Sequence, residues 1–343
     1  MGPLPRRTGE AVARWARRLV EEGRSSRALF EELLALREAL RAEIGRLLNA
    51  PEGSLALTTA TTDACNIVIT GLGIGAGDEV VTTDSEHPGL FGGLVASGAT
   101  LRVAEIRERP AAEALSALET QLTDRTRLLA LSHVSWLSGA VLPIRELAGR
   151  GFPVLVDGAQ AAGAIPVDVQ ELGCDFYTVS AQKWLLGPEA TGALFVHPER
   201  VEELRLTFPS YMSWQFPDYV PRPGAERFDP GWLPSWSLAG LQESLSFASE
   251  LGPERFAHAR EVSARCRELL SERVDIVTEP DQATLVTWRA GDPVNLVAKL
   301  AERGVVVRDL PGTGWVRASC GFWTSEDDLR RLGDALESEV RTT

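Results

Sequence analysis

Lysine is almost missing from this chain. Of 343 residues, 35 are Lys or Arg, and only Lys183 and Lys299 are lysine, so 33 cationic side chains are arginine. Cysteine is also scarce: Cys65, Cys174, Cys266 and Cys320 are far apart and form no C-x-x-C pair. That spacing excludes a disulfide scaffold and fits reduced, buried thiols in a cytoplasmic protein, and no metal site is expected. No apolar run approaches the length of a membrane span, and Met1 to Glu10 has no apolar segment of the kind a secretory signal needs. Positive charge is in deficit too, with a formal net charge of −13. This argues against a nucleic-acid partner, and an anionic ligand would need cations gathered at its own site. Repeats and low-complexity stretches are absent.

Against that background Lys183 stands out. It lies in Ser180-Ala181-Gln182-Lys183-Trp184-Leu185-Leu186-Gly187-Pro188, and Asp157 stands 26 positions earlier in Val156-Asp157-Gly158-Ala159-Gln160. An amine can lose its proton near neutral pH and attack a carbonyl, whereas a guanidinium cannot. Lysine at this position therefore points to a Schiff base, and the acidic residue upstream suggests which cofactor.

Residues 10–48 carry apolar positions at helical spacing, including Val12, Trp15, Leu19, Leu33, Leu40 and Ile44, which predicts two amphipathic helices. Short apolar runs then alternate with helical stretches, at 79–82, 101–103, 128–131, 154–156, 176–179 and 193–196. Runs too short for helices, in that alternation, predict a mainly parallel sheet covered on both faces. From about Leu238 the pattern changes to two helices, 238–250 and 253–272, followed by strands near 285–288, 305–307 and 316–318. The boundary falls in 208–237, a stretch rich in Pro, Trp and Tyr that reads as a packed loop lining an interface or pocket. The expected divisions are 1–48, 49–237 and 238–343.

Asp157 ends an apolar strand, where open parallel sheets place ligand-binding groups, although an aspartate there can equally cap a helix. Gln160, Ser180, Gln182 and Lys183 follow at the ends of this strand and the next, so their side chains could converge on one small ligand. Thr58-Thr59-Ala60-Thr61-Thr62-Asp63 precedes the run Ile67-Val68-Ile69, and hydroxyls with free N–H groups at a helix start suit a phosphate as well as an ordinary cap. His87 follows another short strand and by itself is a loop histidine with no role. Arg308 and Arg317 lie nine positions apart around a Gly-Pro turn and could clamp a carboxylate, or could be two more surface arginines.

Taken together, these segments resemble the class V aminotransferase and cysteine desulfurase superfamily, from about Gly2 to about Glu337. The resemblance rests on Asp157-Gly158-Ala159-Gln160, Ser180-x-x-Lys183 and Gly187-Pro188-x-x-x-Gly192. Within it the chain is similar to cystine carbon-sulfur lyases, through Ser132-His133-Val134-Ser135-Trp136-Leu137-Ser138-Gly139, Val141-Leu142-Pro143 and the stretch Arg308 to Thr324. The resemblance implies a pyridoxal 5'-phosphate (PLP) enzyme of fold type I: a large, mainly parallel seven-stranded α/β domain, a small C-terminal α/β domain, N-terminal helices 1–48 packing with the small domain, and a homodimer. It implies that Lys183 forms the Schiff base, Asp157 pairs with the pyridine nitrogen, Gln160 contacts the phenolic oxygen and His87 stacks on the ring. Thr61, Thr62, Ser180 and Gln182 would hold the phosphate, and Arg308, Arg317 and Trp136 would bind substrate.

Desulfurases insert a mobile loop between the two arginines, carrying the cysteine that takes up sulfur. Here the segment is Asp309-Leu310-Pro311-Gly312-Thr313-Gly314-Trp315-Val316, short and without cysteine, and Cys320 reads as a buried thiol on a strand. β-Elimination on a cystine- or cysteine-type amino acid is therefore the expected reaction. An aminotransferase or an epimerase would use the same residues. Three departures from the family pattern stand in this sequence. Gln182 replaces the usual His before the lysine, and Trp232 stands where a phosphate-binding threonine from the other subunit is expected. The family's extended segment ahead of Gly2-Pro3-Leu4-Pro5, which forms part of its substrate pocket, is not in this sequence: either the chain is short there or its start is set too far downstream. The last two motivate a further reading, a PLP-binding protein that is not a catalyst.

Overall fold

The computed structural model describes residues 1–340, so the last three residues of the expected small domain lie outside the described part. Seven strands form one sheet: β1 (Leu55–Thr58), β2 (Glu79–Thr83), β3 (Thr100–Ala104), β4 (Thr126–Ser132), β5 (Val154–Asp157), β6 (Phe176–Ser180) and β7 (Gly192–Val196). Their order is β1-β7-β6-β5-β4-β2-β3. The five strands from β6 to β3 run parallel, and β7 is antiparallel to both its neighbours. Side chains on both faces of the central strands are buried, which is why those strands read as continuous apolar runs and not as alternating ones. β1 has only four residues and goes unmarked in the sequence reading.

This topology collects chemistry at one edge. The C-terminal ends of β2, β4, β5 and β6 share that edge with the C-terminal end of β1 and the first residue of β7. Thr58, Gly192 and Ser180 are cross-strand neighbours, and Ser132 is the neighbour of Asp157.

Three helices, α1 (Arg6–Glu22), α2 (Arg27–Leu48) and α3 (Thr61–Gly71), open the chain's helical set, followed by α4 (Pro88–Ser97), α5 (Ala114–Gln121) and the short α6 (Ile144–Leu147) and α7 (Val169–Leu172). One sheet face packs on α3 and α4 through residues such as Val68, Leu90, Leu128 and Leu155. The other is covered by α2 and by α8 (Ser235–Glu250), with Leu40, Ile44, Val156, Val179 and Leu241 in one core. α1 lies along α8 and reaches the large sheet through that helix, whereas α2 packs on the sheet directly. A small hairpin, β8 (Trp214–Gln215) with β9 (Val220–Pro221), sits in the Trp-rich stretch ahead of α8.

The C-terminal part has its own core, centred on Trp288, Val316, Leu332 and Leu336. It contains α9 (Glu254–Ser271), β10 (Leu285–Arg289), α10 (Pro293–Glu302), β11 (Arg308–Leu310), β12 (Trp315–Ser319) and α11 (Glu326–Val340), with strand order β10-β12-β11. The strand expected at 305–307 is displaced: pairing begins at Arg308. Three consecutive valines favour a strand on propensity, but Gly304 turns at φ +73° and Val305 N–H donates to Leu300 O at the end of α10. Val306 is left 90% exposed, with no strand beside it.

Asp229 ties the Trp-rich stretch to the rest. Fully buried, it accepts from the Leu57 N–H at 2.7 Å and from the guanidiniums of Arg37 and Arg41 on α2. Removing one partner of a buried ion pair strands the other in low dielectric. Asp229→Asn is therefore expected to lower unfolding free energy by about 3 kcal/mol, read as a lower denaturant midpoint at unchanged slope.

Candidate active site

Asp157, at the end of β5, is 3% exposed. One carboxylate oxygen accepts from the Ala159 N–H at 2.9 Å, and the other has no partner among the described residues. Burial pushes its pKa up, and the positive charge of Lys183 opposes that shift. A buried carboxylate with a single backbone donor is unfavourable until a cationic partner arrives, and a protonated ring nitrogen is such a partner.

Lys183 sits in the connection between β6 and β7, on a backbone that is not relaxed. Leu186 and Ala190 both adopt left-handed conformations, at φ 56° and 58°, which non-glycine residues avoid unless the surroundings impose them. The surroundings here are hydrogen bonds: Ala181 N–H to Thr191 O and Gly187 N–H to Ala181 O, both 2.9 Å, and Ala190 N–H to the Gln182 side-chain oxygen at 3.2 Å. The Lys183 amine finds no acceptor among the described residues. Burial lowers its pKa, the negative charge of Asp157 partly offsets this, and Arg317 and Arg308 push it further down. The net shift, with Asp157 opposing it, is toward a neutral, nucleophilic amine.

Arg308 and Arg317 are direct cross-strand partners on β11 and β12. Arg317 is buried and donates to the Trp136 carbonyl, while its Nε has no partner. Burial first, and the nearby Arg308 second, push its pKa down to about 10. Neither arginine forms an ion pair with an acid among the described residues. Like charges directly opposite on neighbouring strands repel, so this pair suits a carboxylate that would neutralise both.

The third constituent is a set of free donors. α3 begins after Ala60, which has no side chain to cap it, leaving the first-turn N–H groups open at the sheet edge. Thr61 is buried there and Thr62 is exposed. A Cβ on Gly192 would lie 2.5 Å from Val179 O and 3.1 Å from Ala60 N, so only glycine keeps the space beside this helix start open. Ser180 is the buried neighbour of Gly192. Gln182 engages its oxygen with Ala190 and retains its NH2 as a donor.

His87 caps α4, its Nδ1 accepting from Gly89 N–H at 3.0 Å, which leaves the ring proton on Nε2. Burial, followed by Lys183 and the two arginines, pushes its pKa down to about 4 and keeps the ring neutral. It meets Trp136 edge-on, with ring centroids 5.1 Å apart. Gln160 is oriented by Trp184, whose indole N–H donates to its oxygen at 2.9 Å, and its NH2 remains available to donate to a ligand.

A cavity of about 230 Å³ is lined by six of the residues singled out in the sequence, His87, Trp136, Gln160, Lys183, Arg308 and Arg317. Asp157, Thr61, Thr62, Ser180 and Gln182 do not line it and stand at the adjoining strand and helix ends. Sequence reasoning passed over Trp184, Ser319 and Trp323, which with Met1 and Gly2 complete the wall. The two indoles pack together at 5.7 Å. Their signal was position: Trp184 follows the lysine and Trp323 falls in the stretch Arg308 to Thr324. This inventory fits PLP: an unpartnered buried acid for its ring nitrogen, an amine for its aldehyde, an amide donor for its phenolic oxygen and an open helix start for its phosphate.

Glu86 was also missed. It is buried beside His87 and accepts from Ser132 N–H (2.9 Å), Ser132 Oγ (2.6 Å) and Thr83 Oγ (2.6 Å), joining the ends of β2 and β4. Burial raises its pKa from 4.5 to about 7. A carboxyl whose pKa rises on folding stabilises the fold fully below its unfolded value and loses that contribution as pH climbs through the folded one. The stability difference between the parent and Glu86→Gln should therefore shift against the parent between about pH 4.5 and 7. Paired thermal melts across that range check it; a constant difference would contradict the assignment.

Comparison with known proteins agrees with this inventory. The family model for aminotransferase class V matches residues 4–332. Isopenicillin N epimerase of Streptomyces clavuligerus is 34% identical over 373 residues, covering 98% of this chain and 92% of that protein. A probable cysteine desulfurase of Xylella fastidiosa (strain 9a5c) is 30% identical over 334 residues, covering 87% and 79%. The solved complex of the cystine C-S lyase C-DES with its reaction product cysteine persulfide superposes with a TM-score of 0.91 at 29% identity, covering 97% of this chain and 94% of that one. A C-DES mutant holds glycine covalently linked to its PLP cofactor, with a TM-score of 0.90. The architecture is thus the PLP-dependent fold type I, and the chain belongs to the aminotransferase class V family as a PLP-dependent enzyme.

Proposed function

We propose that the protein is a carbon-sulfur β-lyase that converts a cystine- or cysteine-type amino acid to pyruvate, ammonia and a thiol or persulfide. When bound, PLP supplies the electron sink that makes the substrate Cα–H acidic. The chain's residues do the rest. Arg317 and Arg308 hold the substrate carboxylate and Trp136 packs beside it, which fixes Cα near Lys183. Lys183, its pKa held down by burial, takes the Cα proton and passes it to the sulfur that leaves as the Cβ–S bond breaks, and water completes the conversion to pyruvate and ammonia. Asp157 would pair as a carboxylate with the ring nitrogen, Gln160 would donate to the phenolic oxygen and neutral His87 would stack on the ring. Thr61, Thr62, Ser180 and Gln182 would donate to the phosphate.

The observation that carries this reading is the connection between the two arginines. Leu310 ends β11 and Trp315 begins β12, so only Pro311, Gly312, Thr313 and Gly314 join them, and the two glycines turn at φ 74° and 72°. A hairpin this tight has no cysteine to carry sulfur, and all four cysteines of the chain are buried. Sulfur would then depart from Cβ directly and would not pass to an enzyme thiol.

The 34% identity to an epimerase supports a second reading, return of the proton to the opposite face of Cα. Incubating holoenzyme with L-cystine and L-cysteine in D2O separates the two. Pyruvate formation is expected; deuterium at Cα with inversion and no pyruvate would overturn the lyase reading in favour of the epimerase. The reading also includes a cytoplasmic homodimer, supported by exposed aromatics such as Tyr211, Tyr219 and Trp232 in the stretch ahead of α8.

A further inference from the structure

A second and larger cavity, of about 680 Å³, opens beside the first and shares Met1, Arg308, Arg317, Ser319 and Trp323 with it. Its origin is a strand pairing that stops early. β12 pairs with β10 as far as Ser319, but with β11 only as far as Arg308 opposite Arg317. Beyond that point Val305, Val306 and Val307 pass without pairing, and one edge of β12 at Ser319 has no strand beside it. The gap between this edge, the valine segment and the start of α11 is the groove. Its flanks are apolar at Val305, Val307, Leu329 and Leu332, and Asp328 and Arg331 place charge of both signs in its wall.

Sites for small molecules commonly measure about 300–1,000 Å³. The first cavity is smaller than that and has to admit the reacting end of the cofactor as well, which leaves little room for a side chain. The larger compartment adjoins it at the arginine pair, with Met1 lining both. An open strand edge is also a recognition element, because its backbone groups can pair with the amide of an extended ligand.

We propose that the substrate is an α-amino acid with an extended, amide-bearing side chain, which leaves Cβ past Arg308 and Arg317 and lies in this groove along the Ser319 edge. The proposal rests on the reading that an amino acid binds at Lys183 with its carboxylate on Arg317. Under it, a free amino acid with a short side chain fills only the inner compartment.

The test uses holoenzyme and three probes: S-methyl-L-cysteine, S-hexyl-L-cysteine and S-(2-acetamidoethyl)-L-cysteine. Dissociation constants come from calorimetry and turnover from pyruvate release. The acetamidoethyl compound should bind about tenfold or more tightly than the methyl one, the scale of one amide hydrogen bond with added apolar contact, and the hexyl compound should fall between. Val307→Trp, which fills the groove from the valine side, should erase that preference and leave the methyl compound's constant unchanged. Thr324→Trp does the same from the opposite wall and covers the case in which the first variant misfolds. Equal binding of all three probes, or an equal loss for all three in both variants, overturns the proposal even if pyruvate is released. Tighter binding of the long probe without pyruvate overturns the lyase reading and leaves the groove assignment standing. Failure of all three to bind overturns both.

Discussion

Lys183→Ala is expected to lower turnover by about 10³-fold or more while the protein still folds. The side chain projects into a cavity and makes no hydrogen bond or ion pair among the described residues, so its removal breaks no structural contact. Its depressed pKa also gives the sign of the stability effect. A cation disfavoured by burial destabilises the fold at pH values below its folded pKa, and that penalty fades as pH rises and the amine becomes neutral in the folded state. Deleting it should leave the apoprotein as stable or slightly more stable at neutral pH. Two further measurements separate nucleophile from charge. Absorbance of the lysine-bound cofactor, at roughly 420 nm, should disappear in Lys183→Ala. Lys183→Arg should lack it as well, because a guanidinium keeps the charge and cannot form the bond. Retention of that absorbance in either variant would mean that another residue holds the cofactor.

The contrast between Lys183 and the arginines also explains how much of this site could be read before its geometry was known. A side chain that performs chemistry leaves a mark in composition: lysine in an arginine-rich chain, or an aspartate closing an apolar run. Parallel strands buried on both faces leave a mark in pattern, and six of the seven in the large sheet fall where the apolar runs are. What left no mark depends on neighbours remote in sequence. β1 exists because Leu55–Thr58 pairs with β7, more than a hundred residues away. Val305–Val307 has the propensity of a strand and is not one, because the turn at Gly304 and the Val305 N–H bond to Leu300 O hold its start against the end of α10. Glu86 looks like one more surface acid until folding brings Ser132 onto it.

Trp184 and Gln182 teach a related lesson. Each sits beside the lysine, and each is used to position something else: the indole N–H fixes Gln160, and the Gln182 oxygen holds the strained turn at Ala190. Spacing alone marks such residues as neighbours of the chemistry. Only the hydrogen bonds distinguish a group that touches the ligand from one that aims another.

Arg317→Ala is expected to reduce kcat/KM by about 10³-fold, equivalent to about 4 kcal/mol, the scale of deleting one member of a desolvated charge pair. The loss should appear mainly in KM, since the arginine holds the substrate carboxylate equally before and during reaction. It should not be matched by a loss of stability. Arg317 is buried, its Nε is unpaired and Arg308 faces it directly, so without an anion the guanidinium is a liability to the fold. Its one favourable contact is the hydrogen bond to the Trp136 carbonyl. Substitution should therefore leave the melting temperature of the apoprotein unchanged or raised, and should weaken the thermal protection that the parent gains from a carboxylate-bearing substrate analogue. Arg317→Lys restores a positive charge but not the planar fork, so it should recover only part of the affinity. A variant that melts early and binds substrate normally would reverse the interpretation, making Arg317 a structural residue and leaving Arg308 as the carboxylate's partner.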